Sequence, residues 1–125
     1  MNEALNIMIV EDSGLTRNKL KAMLEKLGHR VIAVADDGRQ AVELYGEHLP
    51  DLVTMDITMP DIDGIEATKR IVRDYPDAVI MMITSHGHQQ KVIKAIHVGA
   101  KGYLLKPITE EKLVEQIDQV VSRIS

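Results

Sequence analysis

Short apolar runs alternate with amphipathic stretches along the whole chain. Asn6–Val10 (NIMIV) is the first apolar run. In the stretch after it, Leu20, Met23, Leu24 and Leu27 share one face at 3.6-residue spacing, which predicts a helix ended by Gly28. Val31–Ala35 (VIAVA) predicts a second strand, and DDG leads into a helix from about Gln40 to His48. Leu52–Met55 is the third strand, followed by a PDIDG loop and a helix near Ile65–Asp74, closed by Tyr75-Pro76. Val79–Ile83 (VIMMI) is the fourth strand, and TSHGHQQ leads into a helix near Lys91–Val98 that Gly99 ends. Tyr103–Leu105 is a fifth, short strand broken by Lys106-Pro107. The last helix runs from about Glu110 to Ile124, with Leu113, Ile117, Val120, Val121 and Ile124 as its apolar stripe and Thr109 as its N-cap.

Strands apolar on both faces, alternating with amphipathic helices, predict an α/β fold with a parallel sheet covered on both sides. Five such units use up the 125 residues, so residues 1–125 read as one domain without linker or repeat. Apolar residues make up 45% and charged residues 27%, as in ordinary globular proteins. No apolar run approaches the roughly 18 residues of a membrane span, MNEALN lacks a signal-peptide pattern, and there is no cysteine. A cytoplasmic location with no membrane contact is expected. The net charge is −4, the basic residues are scattered, and the aromatics are Tyr45, Tyr75 and Tyr103, so direct nucleic-acid binding is not expected.

In parallel sheets of this kind, ligands gather at the carboxyl ends of the strands. There the sequence places Glu11 and Asp12, Asp56, Thr84 and Ser85, and Lys106. Two carboxylates about 4 Å apart repel by roughly 4 kcal/mol at an effective dielectric near 20. Three of them retain a proton or recruit a cation. One lysine cannot contact every oxygen, whereas Mg²⁺ suits an oxygen cluster and leaves positions for phosphate oxygens. Asp56, at a strand tip beside such a metal, is a candidate nucleophile for an aspartyl phosphate. Lys106 would supply further charge stabilisation and Thr84 a hydrogen bond to a phosphoryl oxygen.

These motifs in combination (VEDS, MDITMPDIDG, ITS and GYLLKP) resemble the receiver domain of two-component response regulators, especially the single-domain, CheY-like chemotaxis type. The resemblance runs from Ile7 to Ile124. It implies a doubly wound, flavodoxin-like sheet of order 2-1-3-4-5. It implies that Asp56 accepts a phosphoryl group from a histidine kinase, and that Glu11, Asp12, Asp56 and the backbone carbonyl of Thr58 hold Mg²⁺. By the same resemblance Lys106 pairs with the phosphoryl group, Thr84 swings toward it, and Tyr103 turns inward in concert. That rotation would reshape the face of helix four, strand five and helix five, where a downstream protein target docks. The Lys106–Pro107 bond would be cis. Thr58 and His86, two places past Asp56 and Thr84, would flank the path of an attacking water and tune dephosphorylation. The sequence departs from the family in Glu11, where Asp is commoner, and in Ile108, where Phe is usual.

Taken singly, each of these residues has a plainer reading. Asp12 would be a helix cap, Thr84 a β-branched strand end, Lys106 a surface charge and Tyr103 a fixed core tyrosine. His86 and His88 lack a third ligand for a transition metal, and the seven methionines read as core filler. Lys91 and Lys94 on helix four, with Lys101, and Glu110, Glu111, Glu115 and Asp118 on helix five read as solvated faces. The sharper reading is a docking surface for a mixed-charge helix or a second copy. The charge pattern of dimerising DNA-binding regulators is missing, since GAKGY stands where it would lie; a monomer, or a weak phosphorylation-dependent dimer, is expected.

The expected function is therefore a phosphorylation-controlled switch that is not a turnover enzyme, with chemotaxis suggested by the resemblance. The alternatives are a phosphorelay intermediate or a receiver excised from a longer regulator. A phosphatase of the haloacid dehalogenase kind would need an acid at Thr58 and a nucleophile after the first strand. A flavin or dinucleotide binder would need a Gly-rich loop that is absent here.

Overall fold

The computed structural model describes residues 4–59, 61–85 and 87–122. Five strands and five helices alternate along it: β1 (Asn6–Val10), α1 (Gly14–Lys26), β2 (Arg30–Ala35), α2 (Gly38–His48), β3 (Leu52–Asp56), α3 (Gly64–Asp74), β4 (Ile80–Thr84), α4 (Gln89–His97), β5 (Gly102–Leu105) and α5 (Glu110–Ser122). All pairings are parallel and the sheet order is β2-β1-β3-β4-β5, as expected. The order reverses between β1 and β3, so a crevice opens beyond their carboxyl ends.

Strand alternation divides the buried side chains into two layers. Met8, Val10, Val53, Met55, Ile80 and Met82 face α2, α3 and α4. Ile7, Ile9, Leu52, Met81 and Ile83 meet Leu20 and Leu24 of α1 and Leu113, Ile117 and Val120 of α5. Both faces are covered, which is why β3 and β4 are buried at every position and read as unbroken apolar runs. Met23, Leu27 and Val121, the flanks of the two apolar stripes, pack partly buried against the second layer. Ile124 lies outside the described residues. Among the described residues, no helix is long and apolar enough to cross a membrane.

Several elements begin earlier than expected because a polar cap, and not the first apolar residue, marks a helix start. Asp37 accepts from Gln40 N–H at 2.8 Å and Asp63 from Glu66 N–H at 2.9 Å. Gly38 and Gly64, read in the sequence as loop, therefore open α2 and α3. The α1 cap is Ser13, which accepts from Thr16 N–H at 3.4 Å; Asp12 is not the cap. Thr109 caps α5 through Lys112 N–H at 3.2 Å. The helix α4 differs: its N-cap residue, His88, makes no side-chain capping bond. The Lys106–Pro107 peptide is cis.

Candidate functional site

The carboxyl ends of β1, β3, β4 and β5 bring the expected residues to one rim. Asp56 is the last residue of β3, held by the apolar run that precedes it. Its position is fixed from behind by the start of α3. A Cβ at Gly64 would overlap the backbone carbonyl of Asp56, so only glycine lets the helix come this close. The next residue, Ile57, donates its N–H to Ile83 of β4 at 3.1 Å and accepts from Gly64 N–H at 3.0 Å.

Glu11 follows β1 and is buried, as is Asp56, while Asp12 is exposed at the mouth. One carboxylate oxygen from each of Glu11, Asp12 and Asp56 lies within 4.8 Å of the others. Glu11 accepts from Ser13 N–H at 3.0 Å, and Arg17 on α1 donates to the Glu11 backbone carbonyl at 3.0 Å. Asp56 Oδ1 accepts from the N–H of exposed Thr58 at 3.3 Å. Lys106 Nζ lies 3.3 Å from Glu11 and 3.9 Å from Asp56. Its backbone N–H donates to the Thr84 carbonyl at 2.7 Å, tying the ends of β4 and β5 together.

One ammonium does not neutralise this cluster. The Asp56 carboxyl is pushed up to about 7, first by burial and next by the charge of Glu11. Lys106 pulls it back, a hydrogen bond shared with Glu11 raises it, and the Thr58 N–H lowers it. A carboxyl held half-protonated among two others is what an oxygen-ligated dication relieves. The donor set (three carboxylates, no nitrogen or sulfur) fits Mg²⁺ better than a transition metal.

Thr84, the last residue of β4, is buried at the same rim, yet its hydroxyl is engaged away from the acids. Thr84 Oγ1 lies 3.3 Å from His88 Nδ1 and 3.4 Å from the Ser85 carbonyl. Beyond it a groove of about 560 Å³ is lined by Thr84, His88, Val92, Ile93, Ile96 and Tyr103. Tyr103 is 44% exposed at the edge of this groove, so it is not the fixed core tyrosine of the plainer reading. His86 lies outside the described residues.

Three contributors escape a reading of the sequence: Ser13, Arg17 and His88. Ser13 is findable in principle, because a serine immediately before an amphipathic run is a start signal. Arg17, in the first turns of α1, and His88, just before α4, each act through a side-chain contact to a strand-end residue, which hydrophobic periodicity does not expose.

An acidic crevice with a strand-end aspartate and a lysine opposite lies at the switch point of a doubly wound parallel sheet, and comparison with known proteins places this arrangement in a family. The model of the response regulator receiver domain matches residues 7–118, and the chain belongs to that family. Within the family it is of CheY type. It is 45% identical over 119 residues to chemotaxis protein CheY of Bacillus subtilis, covering 95% of this chain and 99% of that one. It is 43% identical over 114 residues to chemotaxis protein CheY of Thermotoga maritima, covering 91% and 95%. Among solved structures it superposes on the CheY of a CheX–CheY–BeF₃–Mg²⁺ complex from Borrelia burgdorferi with a TM-score of 0.89, at 35% identity, covering 93% of this chain and 88% of that one.

Proposed function

We propose that this chain is a phosphorylation-controlled signalling switch, one receiver unit across residues 1–125, which takes a phosphoryl group from a histidine kinase onto Asp56 with Mg²⁺. The carrying observation is the buried Asp56 carboxyl, raised to about 7 among two further carboxylates, with Lys106 Nζ 3.9 Å away. In the transfer, an Asp56 oxygen forms a bond to phosphorus as the phosphorus–nitrogen bond to the donor imidazole breaks, and the leaving nitrogen is protonated from solvent. Mg²⁺, held by Glu11, Asp12, Asp56 and the Thr58 carbonyl, would offset charge on the phosphoryl oxygens. Glu11 accepts from Ser13 N–H and faces Lys106 Nζ at 3.3 Å, so charge at the rim is spread over these partners as Asp56 releases its proton. Lys106 then turns from the two carboxylates to a phosphoryl oxygen, and Thr84 rotates to donate to another. Tyr103 fills the space that Thr84 vacates, which alters the face of α4, β5 and α5 offered to a target. Thr58 and His86 border the route of a hydrolysing water and set how long the phosphoryl group lasts.

Chemotaxis is the setting supported by the relatives' names, a cytoplasmic location goes with it in this proposal, and the Borrelia complex supports both a protein partner and a site that takes Mg²⁺ with a phosphoryl-shaped fluoride. Signalling by changed affinity, without turnover of a substrate, is the reading that membership of the receiver family supports.

The test is labelling by acetyl phosphate with Mg²⁺ or with chelator. Wild type should be labelled only with Mg²⁺, and Asp56→Asn not at all. Undiminished labelling of Asp56→Asn would exclude Asp56 as acceptor.

A further inference from the structure

We propose that His88 is a positioning residue, a latch that holds the Thr84 hydroxyl on the α4 side of the rim and thereby sets how readily the site takes up a phosphoryl group. This inference rests on the phosphoryl-transfer reading above.

The geometry is local. Thr84 Oγ1 sits 3.3 Å from His88 Nδ1 and 3.4 Å from the Ser85 carbonyl, and Thr84 is 2% exposed, so both partners of the hydroxyl lie on the side toward α4. A threonine hydroxyl has one proton and one position at a time. Rotation of Thr84 toward a phosphoryl group on Asp56 carries Oγ1 out of reach of His88, whichever of the two holds the shared proton. The contact therefore exists in the resting arrangement and is lost on activation. Its free energy is part of what the phosphoryl group must overcome, and a ligand shifts such an equilibrium only by its differential affinity.

The position of His88 reinforces this reading. It stands at the N-cap of α4, where Ser, Thr, Asp or Asn would bond the first helical N–H groups, as Ser13, Asp37, Asp63 and Thr109 do on the other four helices. His88 makes no such bond; its ring faces Thr84 instead. Truncating the side chain removes no cap, and the backbone bond from Val92 N–H to the His88 carbonyl at 3.0 Å is independent of it. His88 also lines the groove beside Tyr103, so release of the latch and reshaping of the groove involve the same residue.

The experiment is a beryllofluoride titration with excess Mg²⁺, followed by NMR of the Gly102 and Tyr103 amides and the Thr84 methyl. His88→Ala should reach half-saturation at roughly three- to ten-fold lower beryllofluoride than wild type, the worth of one ordinary net hydrogen bond. In a Thr84→Val background, with no hydroxyl to hold, His88→Ala should leave the midpoint unchanged. Equal midpoints for wild type and His88→Ala, or the same shift in both backgrounds, would overturn the latch while the phosphoryl-transfer reading stands. A wild type that takes no beryllofluoride overturns both.

Discussion

The rim of β1 and β3 and the edge made by α4 and β5 belong to one sheet, yet they are built to opposite standards. On the first side, β3 is buried at all five positions, and α3 buries Gly64, Ala67, Thr68 and Ile71. Each helix there carries a side-chain cap, and Gly64 is pressed against the carbonyl of Asp56. On the second side, α4 has nine residues, fully buries only Ala95 and has no side-chain cap. Ile93, Ile96 and Tyr103 stand exposed around a groove. Repelling carboxylates keep their places only if the backbone beneath them cannot relax, because a small displacement would relieve the repulsion and destroy the site. A surface that must change shape has the reverse requirement: few buried contacts, so that two arrangements differ by little. One side is built to hold a charge still; the other, under the proposed function, is built to move.

The largest expected effect tests the repulsive side through pH. Asp56 titrates near 7 in the folded protein, above the ordinary carboxyl range, so the fold favours its protonated form. The stabilisation is fully present below about pH 4 and is lost as pH rises through 7, by up to about 4 kcal/mol for a carboxyl held this far above its ordinary value. Urea unfolding in chelator across this range should show wild type losing stability relative to Asp56→Asn as pH rises, and Mg²⁺ should close the gap. A constant difference between the two proteins would rule out a raised Asp56 carboxyl, whether raised by burial or by Glu11.

A matched pair of glycine substitutions comes next. Gly64→Ala forces a Cβ into the Asp56 carbonyl and should cost about 3 kcal/mol, with weaker Mg²⁺-dependent labelling. Gly87→Ala, at φ +91 with open space around it, meets only the left-handed backbone preference and should cost about 1 kcal/mol. Equal costs by chemical denaturation would erase the proposed contrast between the two sides.

The smallest effect concerns the middle of β3. Thr54 Oγ1 is buried and, among the described residues, has no hydrogen-bond partner. Thr54→Val should therefore stabilise the protein by about 1 kcal/mol, seen as a higher urea midpoint at constant slope. A loss of stability would show that the hydroxyl is satisfied.

Much of this architecture is legible in the sequence, for unequal reasons. The strands stand out because burial on both faces leaves runs such as IMMI with no polar interruption. The acid cluster stands out because a parallel sheet sends every strand end to the same edge, so Glu11, Asp56 and Lys106 can be gathered by topology alone. Helix starts at Gly38 and Gly64 are hidden, since glycine argues against helix until the aspartate cap before it is given weight. The engagement of Thr84 by His88 is out of reach, because the chain between them follows no repeating geometry and a histidine in a polar loop carries no directional signal.

The single bond from the Lys106 amide to the Thr84 carbonyl places an evolutionary restriction on this protein. The cation and the hydroxyl occupy adjacent rungs of one ladder, so a residue inserted or deleted within β4 or β5 would offset the one against the other. Variation that retunes such a protein is therefore confined to side chains, while the spacing of the two strand ends stays frozen.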